Sequence, residues 1–253
     1  MQRIDLNSDI GESFGPWELG DDEALLRVIT SANIACGMHA GDPGVMRRTV
    51  DAALAHGVAI GAHPGLPDLV GFGRRRMAIT PQEAYDLVLY QVGALSAFVR
   101  TAGGQMQHVK PHGAFYNMAA KDAELADAIA RAVCDISPEL ILFGLSGSEL
   151  IAAGERAGLR TASEVFADRR YQPDGALAPR ANGAGIIHDA EEVAQQVLRM
   201  MREGKVAAGD STVEVKAETV CIHGDTPGAG DLARGLRERL EQEGVRVCAL
   251  WTE

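Results

Sequence analysis

Seven times along this chain a short apolar run breaks into polar residues and a glycine or proline, then gives way to a helical stripe. The second unit, Ser31–Pro43 (SANIACGMHAGDP), shows the pattern most fully. Ala32–Cys36 reads as a strand and Gly37 breaks it. His39 and Asp42 follow, with Asp42 a good N-cap and Pro43 a good first helical residue. Strands that alternate with helices favour a parallel sheet with right-handed crossovers. Seven or eight such units in 253 residues fit an α/β fold of one domain, 1–253, closed or nearly closed as a (β/α) barrel. An open doubly wound sheet is the runner-up. No G-x-G-x-x-G turn follows the first strand, which weakens a dinucleotide-binding reading.

The expected strands are Arg3–Ile10, Ala32–Cys36, Val58–Ala62, Met106–Val109, Leu140–Leu145, Thr161–Phe166 and Thr219–Ile222. Val245–Leu250 is an eighth strand or an edge piece. Helices are expected near Asp22–Ile29, over Pro43–His56, and after the capping box Thr80–Pro81–Gln82–Glu83. Further helices start at about Asp122, end near Ala157, and start at an Asp189 or Glu192 cap. The last carries Leu232, Leu236 and Leu240.

The balance of 35 acidic against 24 basic residues, a net charge of −11, argues against general affinity for nucleic acid or an anionic membrane surface. No apolar run approaches the length of a membrane span, so the expected location is cytoplasmic. The four cysteines form no C-x-x-C pair and read as reduced, buried thiols. No G-x-x-x-x-G-K-[ST] loop offers an ATP site of that kind.

Polar residues gather where the strands end, and in parallel α/β folds ligands bind there. Asp5, Asn7, Asp9 and Glu12 follow strand one; His39 and Asp42 follow strand two; His63 and Asp68 follow strand three. Lys110 and His112 follow strand four, Asp168, Arg169 and Arg180 strand six, and His223 and Asp225 strand seven. Four of the seven histidines fall at such ends. A barrel brings these loops to one mouth, with acids and bases, metal ligands and cations for an anionic substrate. Each residue also has a plain structural use. A strand-end histidine braces a loop as readily as it catalyses, and Asp42 and Asp225 suit helix caps. Lys110 ends an apolar strand, where an unpaired ammonium is costly, so it is expected to pair with Asp or Glu. One of Arg74–Arg76 could reach a substrate carboxylate as a bidentate fork. His56 and His188 read as structural or exposed. His108 faces away from its strand neighbours and is set aside. Asp and His on successive strand ends could hold a divalent metal such as zinc, but no H-E-x-x-H or similar local motif establishes one.

Six segments resemble the LamB/YcsF family: Asp5–Glu12 (DLNSDIGE), Ser31–Pro43, Gly61–Arg75 (GAHPGLPDLVGFGRR), Val109–Asn117 (VKPHGAFYN), Glu164–Arg180 (EVFADRRYQPDGALAPR) and Cys221–Pro227 (CIHGDTP). The resemblance spans nearly the whole chain. It implies a barrel related to the glycoside hydrolase/deacetylase group, often drawn with seven strands. The family's characterised activity is that of the A component of bacterial 5-oxoprolinase. The resemblance thus implies ATP-dependent opening of 5-oxo-L-proline to L-glutamate, together with 5-oxoprolinase subunits B and C.

A lactam is an amide and resists water, so ATP would activate it by phosphorylating the ring carbonyl oxygen. With no P-loop here, the ATP step is expected to fall to the partners. Chemistry and position then nominate Asp9, Glu12, His39, His63, His112 or Asp168 as water activators, and His223 or Lys110 beside the developing oxyanion. Asn7, Arg74, Arg169, Arg180 and Asp225 are the candidate substrate binders, with Arg169 or Arg180 on a carboxylate or phosphate. Two other readings stand beside this one. A metal-dependent sugar deacetylase predicts a tightly held metal and activity without ATP. A binding component predicts ligand affinity without dependence of turnover on the polar cluster.

Overall fold

The computed structural model describes residues 2–179, 185–224 and 228–250. In chain order its strands are β1 (Arg3–Ile10), β2 (Ser31–Ala35), β3 (Ala59–His63), β4 (Met106–Val109), β5 (Ile141–Leu145) and β6 (Arg160–Phe166). A hairpin of β7 (Lys205–Ala208) and β8 (Ser211–Glu214) follows, then β9 (Thr219–Cys221) and β10 (Arg246–Val247). β1 to β6 and β9 pair in parallel, each with the next. β9 returns to β1, with Asp5 opposite Thr219 and Asn7 opposite Cys221, and this closes a seven-stranded barrel. The segment after Gly244 is an edge piece: β10 pairs only with Arg3 and Ile4 of β1. Leu250 then packs on Ile141, Phe143 and Ala162.

The helices are α1 (Asp22–Leu26), α2 (Pro43–Ala55), α3 (Pro81–Thr101), α4 (Gly113–Ala119), α5 (Ala123–Ile136), α6 (Glu149–Arg156), α7 (Ala190–Glu203) and α8 (Ala229–Gln242). α1, α2, α3, α5 and α7 start with a side-chain cap. Asp42 accepts from the Gly44 and Val45 amides, Asp122 from Glu124 and Leu125, and Asp189 from Glu192. Thr80 and Glu83 form the reciprocal capping box expected from the sequence. Ala84, Val88, Val92, Leu95 and Val99 make the buried stripe of α3. Full burial of each larger aliphatic contributes about 1.5–3 kcal/mol.

Two elements go beyond the sequence expectations. α4 has seven residues, too few for a 3.6-residue stripe to show, and four of them are buried. The β7–β8 hairpin turns at Gly209–Asp210, where Gly209 takes a φ of 61°. The turn dipeptide between alternating residues was the available signal.

The apolar core lies between strands and helices. Ile4, Leu6 and Ile10 of β1 belong to it, as do Ala32 and Ile34 of β2. The residues of opposite parity turn into the barrel, and Asp5, Asn7 and Asp9 of β1 and Ser31 and Asn33 of β2 are polar, whereas Ile141, Phe143 and Ala162 form a small apolar cluster. Asn7 donates to Glu164 Oε1 at 3.0 Å and to Thr219 Oγ1 at 2.7 Å. Asn33 donates to both Asn7 and Asp9 at 2.8 Å. At the lower end Asp5 accepts from Ser31 at 2.6 Å and from Thr219 at 2.5 Å. Such an interior is tolerable because these groups find partners. It also carries the chemistry of the upper end.

Candidate active site

Lys110 extends from the end of β4 into this interior. Its Nζ lies 2.8 Å from Glu164 Oε1 and 3.0 Å from Asp9 Oδ1, and it donates to Asn7 Oδ1 and Cys221 Sγ at 3.2 Å each. Burial alone would strip the ammonium of its proton. The Asp9 charge, with Glu164, outweighs that and holds Lys110 well above the ordinary lysine range. Burial likewise opposes charge on Asp9, but His63 and Lys110 hold it well below the usual carboxylate range. Burial pushes the Cys221 thiol and the Tyr116 phenol well up, so both are neutral donors or acceptors here. Tyr116 donates to the second oxygen of Glu164 at 2.7 Å. Glu164 is thus fixed by Asn7, Lys110 and Tyr116.

Three histidines meet beside this ion group. His63 Nε2 lies 3.3 Å from Asp9 Oδ2 and 2.9 Å from His112 Nδ1. His39 stacks flat on His112, with ring centroids 3.7 Å apart. Glu12 Oε1 approaches His39 Nε2 at 3.4 Å and His112 Nδ1 at 3.6 Å. Burial holds both His39 and His112 well below the ordinary histidine range, so these rings are neutral near pH 7. Glycines make room for the cluster: a Cβ on Gly65 would lie 2.5 Å from His39 Nδ1. Glu12, His39, His63 and His112 bring their ligand atoms close enough together to hold one metal ion.

Across the ion group stands a second unit. Asp168 places both carboxylate oxygens 3.0 Å from His223 Nδ1, so that nitrogen carries the proton and Nε2 is left as a base. Phe166 stacks on the His223 ring. Asp9, His63, Lys110, His112, Tyr116 and His223 line one cavity of about 440 Å³. Arg74, Arg76 and Lys121 add cationic side chains to the same wall, on a chain whose net charge is −11. This cavity suits a small anionic ligand, with an imidazole and a buried ammonium on its floor.

The LamB/YcsF family model matches residues 4–253. The chain belongs to the LamB/YcsF family. A curated relative from Bacillus licheniformis, named as the A subunit of 5-oxoprolinase, is 61% identical over 253 residues, which cover all of both chains. The crystal structure of a lactam utilization protein from Thermus thermophilus is 50% identical and superposes with a TM-score of 0.92, covering 98% of this chain and 100% of that one. The polysaccharide deacetylase Bc1974 from Bacillus cereus is 14% identical, with a TM-score of 0.50 over 98% of this chain and 92% of that one. That likeness shows a shared fold alone.

In this LamB/YcsF chain the barrel brings Asp9, His63, Lys110, His112 and His223 to the cavity wall. Glu12 and His39 stand with His63 and His112, and Asp168 stands behind His223. Asn7 is fully buried beneath Lys110, and its side chain is engaged by Glu164, Thr219, Asn33 and Lys110. Arg169 lines the cavity, but two of its donors go to the carbonyls of Gly185 and Ala178, where they brace the loop after β6. Asp68 is tied to Arg75 and the Gly71 amide. Arg180 and Asp225 lie outside the described residues. His108, set aside on strand parity, in fact points into the barrel beside Asn33, 2.8 Å from its Oδ1, and burial lowers its pKa to about 3. Sequence reasoning also missed Asn33, Tyr116, Glu164 and Cys221 as site-building residues. Glu164 had one readable signal: a lysine inside a barrel needs a buried acid, and Glu164 lies in an otherwise uncharged stretch of β6.

Proposed function

We propose that this chain opens an activated lactam, as the A component of an ATP-dependent 5-oxoprolinase. The overall reaction converts 5-oxo-L-proline, water and ATP to L-glutamate, ADP and phosphate, with subunits B and C as partners. The reading is supported by the full-length similarity to a relative that carries the 5-oxoprolinase name. The observation that carries it is the cavity that joins the Asp168–His223 pair to the buried Lys110 ammonium.

The chemistry follows from those positions. Amides resist attack because nitrogen donates into the carbonyl. Phosphorylation of the ring carbonyl oxygen by ATP, assigned to the partners, makes the ring carbon electrophilic. The activated ring then occupies the cavity, with its carboxylate and phosphate against Arg74, Arg76 or Lys121. His223 Nε2 takes a proton as water oxygen bonds to the ring carbon. The electron pair of the ring C=N bond moves onto nitrogen, because the ring oxygen carries the phosphoryl group. The Lys110 ammonium stabilises negative charge on the added oxygen as it loses its second proton and re-forms a carbonyl. The carbon–nitrogen bond breaks and the departing nitrogen takes the proton from His223. Loss of phosphate to water completes L-glutamate. Asp168 keeps the proton on Nδ1 through the cycle, so Nε2 is always the working atom.

A second reading, hydrolysis of an N-acetylated sugar without ATP, draws on one observation, the convergence of Glu12 with three histidines. Reconstitution separates the two. The chain is assayed with 5-oxo-L-proline and ATP, alone and with subunits B and C, with glutamate and ADP measured together. Glutamate and ADP in equal amounts only in the full mixture is the expected result. Silence with competent partners, and acetate release from acetylated sugars by the chain alone, would favour the second reading.

A further inference from the structure

The donors and acceptors of the histidine cluster lead to one more assignment. His63 Nδ1 lies 2.7 Å from the carbonyl oxygen of Lys110. A carbonyl only accepts, so Nδ1 carries the hydrogen and donates. His112 Nε2 lies 2.8 Å from the carbonyl oxygen of Phe72 and donates for the same reason. With those two nitrogens spent on carbonyls, the nitrogens left to bind anything else are His63 Nε2 and His112 Nδ1. Those two atoms face each other at 2.9 Å. Their lone pairs would repel if both were left bare, so a proton or a metal cation belongs between or beside them.

The backbone is strained to keep this arrangement. Phe72, whose carbonyl fixes the His112 tautomer, has a φ of 53°. It is the one left-handed residue among the described residues other than glycine, a conformation that costs about 1–2 kcal/mol. A carboxylate flanks each of the two nitrogens. Asp9 Oδ2 lies 3.3 Å from His63 Nε2, and Glu12 Oε1 lies 3.6 Å from His112 Nδ1. These separations of 2.9–3.6 Å bracket the edge of a tetrahedron with ligand bonds of about 2.1 Å, which is about 3.4 Å. The buried acids that meet here, Asp9, Glu12 and Glu164, outnumber the buried ammonium of Lys110. His39 adds an independent sign: it is fully buried and neither ring nitrogen makes a hydrogen bond.

We infer that His63 Nε2 and His112 Nδ1, with the Glu12 carboxylate, form a binding site for a divalent first-row transition cation of the zinc type, with the Asp9 carboxylate beside His63. Two imidazoles with a carboxylate suit that class better than magnesium or calcium, which prefer all-oxygen shells. His39 lies within 2° of parallel to His112. Stacked rings cannot both aim lone pairs at one ion, so His39 is the plate that fixes the His112 ring. His63, His112 and Asp9 line the cavity, which gives the ion a way in. Bound there, the cation would supply a Lewis acid at the cavity wall. The site does not depend on which amide the chain opens.

The test is binding, with no activity involved. The full-length chain without an affinity tag is stripped with chelator and titrated with Co²⁺, read by visible absorption, and then with Zn²⁺. One equivalent of Co²⁺ with ligand-field bands, displaced by one equivalent of Zn²⁺, is expected. His63→Ala and His112→Ala should weaken binding by more than about 100-fold, and Glu12→Gln by about 10–100-fold. His56→Ala, on an outer helix end, should bind as the unaltered chain does. Circular dichroism identifies any variant that fails to fold, and Glu12→Gln, which keeps the volume of the side chain, then carries the comparison. No Co²⁺ bound at micromolar protein overturns the assignment, as does binding that is unchanged in His112→Ala. In either case a shared proton, seen as one imidazolium in ¹⁵N spectra, occupies the gap.

Discussion

His223 Nδ1 lies 3.0 Å from each carboxylate oxygen of Asp168, and the His223 backbone amide lies 3.4 Å from one of them. The carboxylate therefore sets both the ring orientation and the tautomer. Asp168→Asn keeps the volume but offers an amide that can turn its NH₂ to the ring and reverse the tautomer. Turnover in the reconstituted complex should fall about 10²–10⁴-fold, the range of a lost acid–base group. The thermal midpoint should move little. A variant with near-normal turnover would remove His223 as the base.

Lys110 is the counter-charge for Asp9 and Glu164. Lys110→Met leaves two buried carboxylates without their ammonium, which should cost about 3–5 kcal/mol in denaturant unfolding. Adding Glu164→Gln to that variant should recover part of the loss. If the double variant is no more stable than the single one, the ion group is not what holds this interior together.

Gly61 faces the His108 ring. A Cβ there would overlap that ring, which is stacked on Phe143 with centroids 4.1 Å apart and has no room to retreat. Gly61→Ala should destabilise by about 1–3 kcal/mol, the usual cost of overpacking. Gly93→Ala, on α3 with open space around the added methyl, is the control and should not destabilise.

Asp22 gives a pH signature. Burial raises its pKa from 3.8 to about 6, against the Gly11 amide that donates to it. The folded chain thus holds this proton more tightly than the unfolded chain does. Between about pH 4 and 6 the unfolded state ionises first, so this group's contribution to stability falls as pH rises and levels off above pH 6. Asp22→Asn should remove that downward component from the stability–pH curve. An unchanged slope would contradict the burial of this carboxyl.

The parts legible in the sequence are those where local chemistry decides. Asp42, Thr80, Asp122 and Asp189 cap helices because each side chain reaches amides two or three residues on. The expected pairing of Lys110 with an acid follows from desolvation alone, and both partners are found. Barrel parity was not legible in the same way. β1 and β2 are buried on both faces, so no apolar–polar alternation with solvent marks which face is the barrel interior. Asn33, His108 and Glu164 were missed for that reason. Arg169 illustrates a different limit. In the sequence its guanidinium is a natural anion binder, and only the path of the loop after β6 shows it meeting the Gly185 and Ala178 carbonyls.

The central claim is that this cavity adds water to a ring that the partners have activated. The direct measurement is a rapid-quench comparison of ADP and glutamate in the complete complex carrying His223→Gln in this chain. The account predicts a burst of ADP that depends on 5-oxo-L-proline, near one equivalent per complex, with glutamate formation slowed about 10²–10⁴-fold. Glutamate at the unaltered rate would show that the cavity is not where the ring opens. Loss of the ADP burst together with glutamate would show that the chain acts before ring opening, in the ATP step itself.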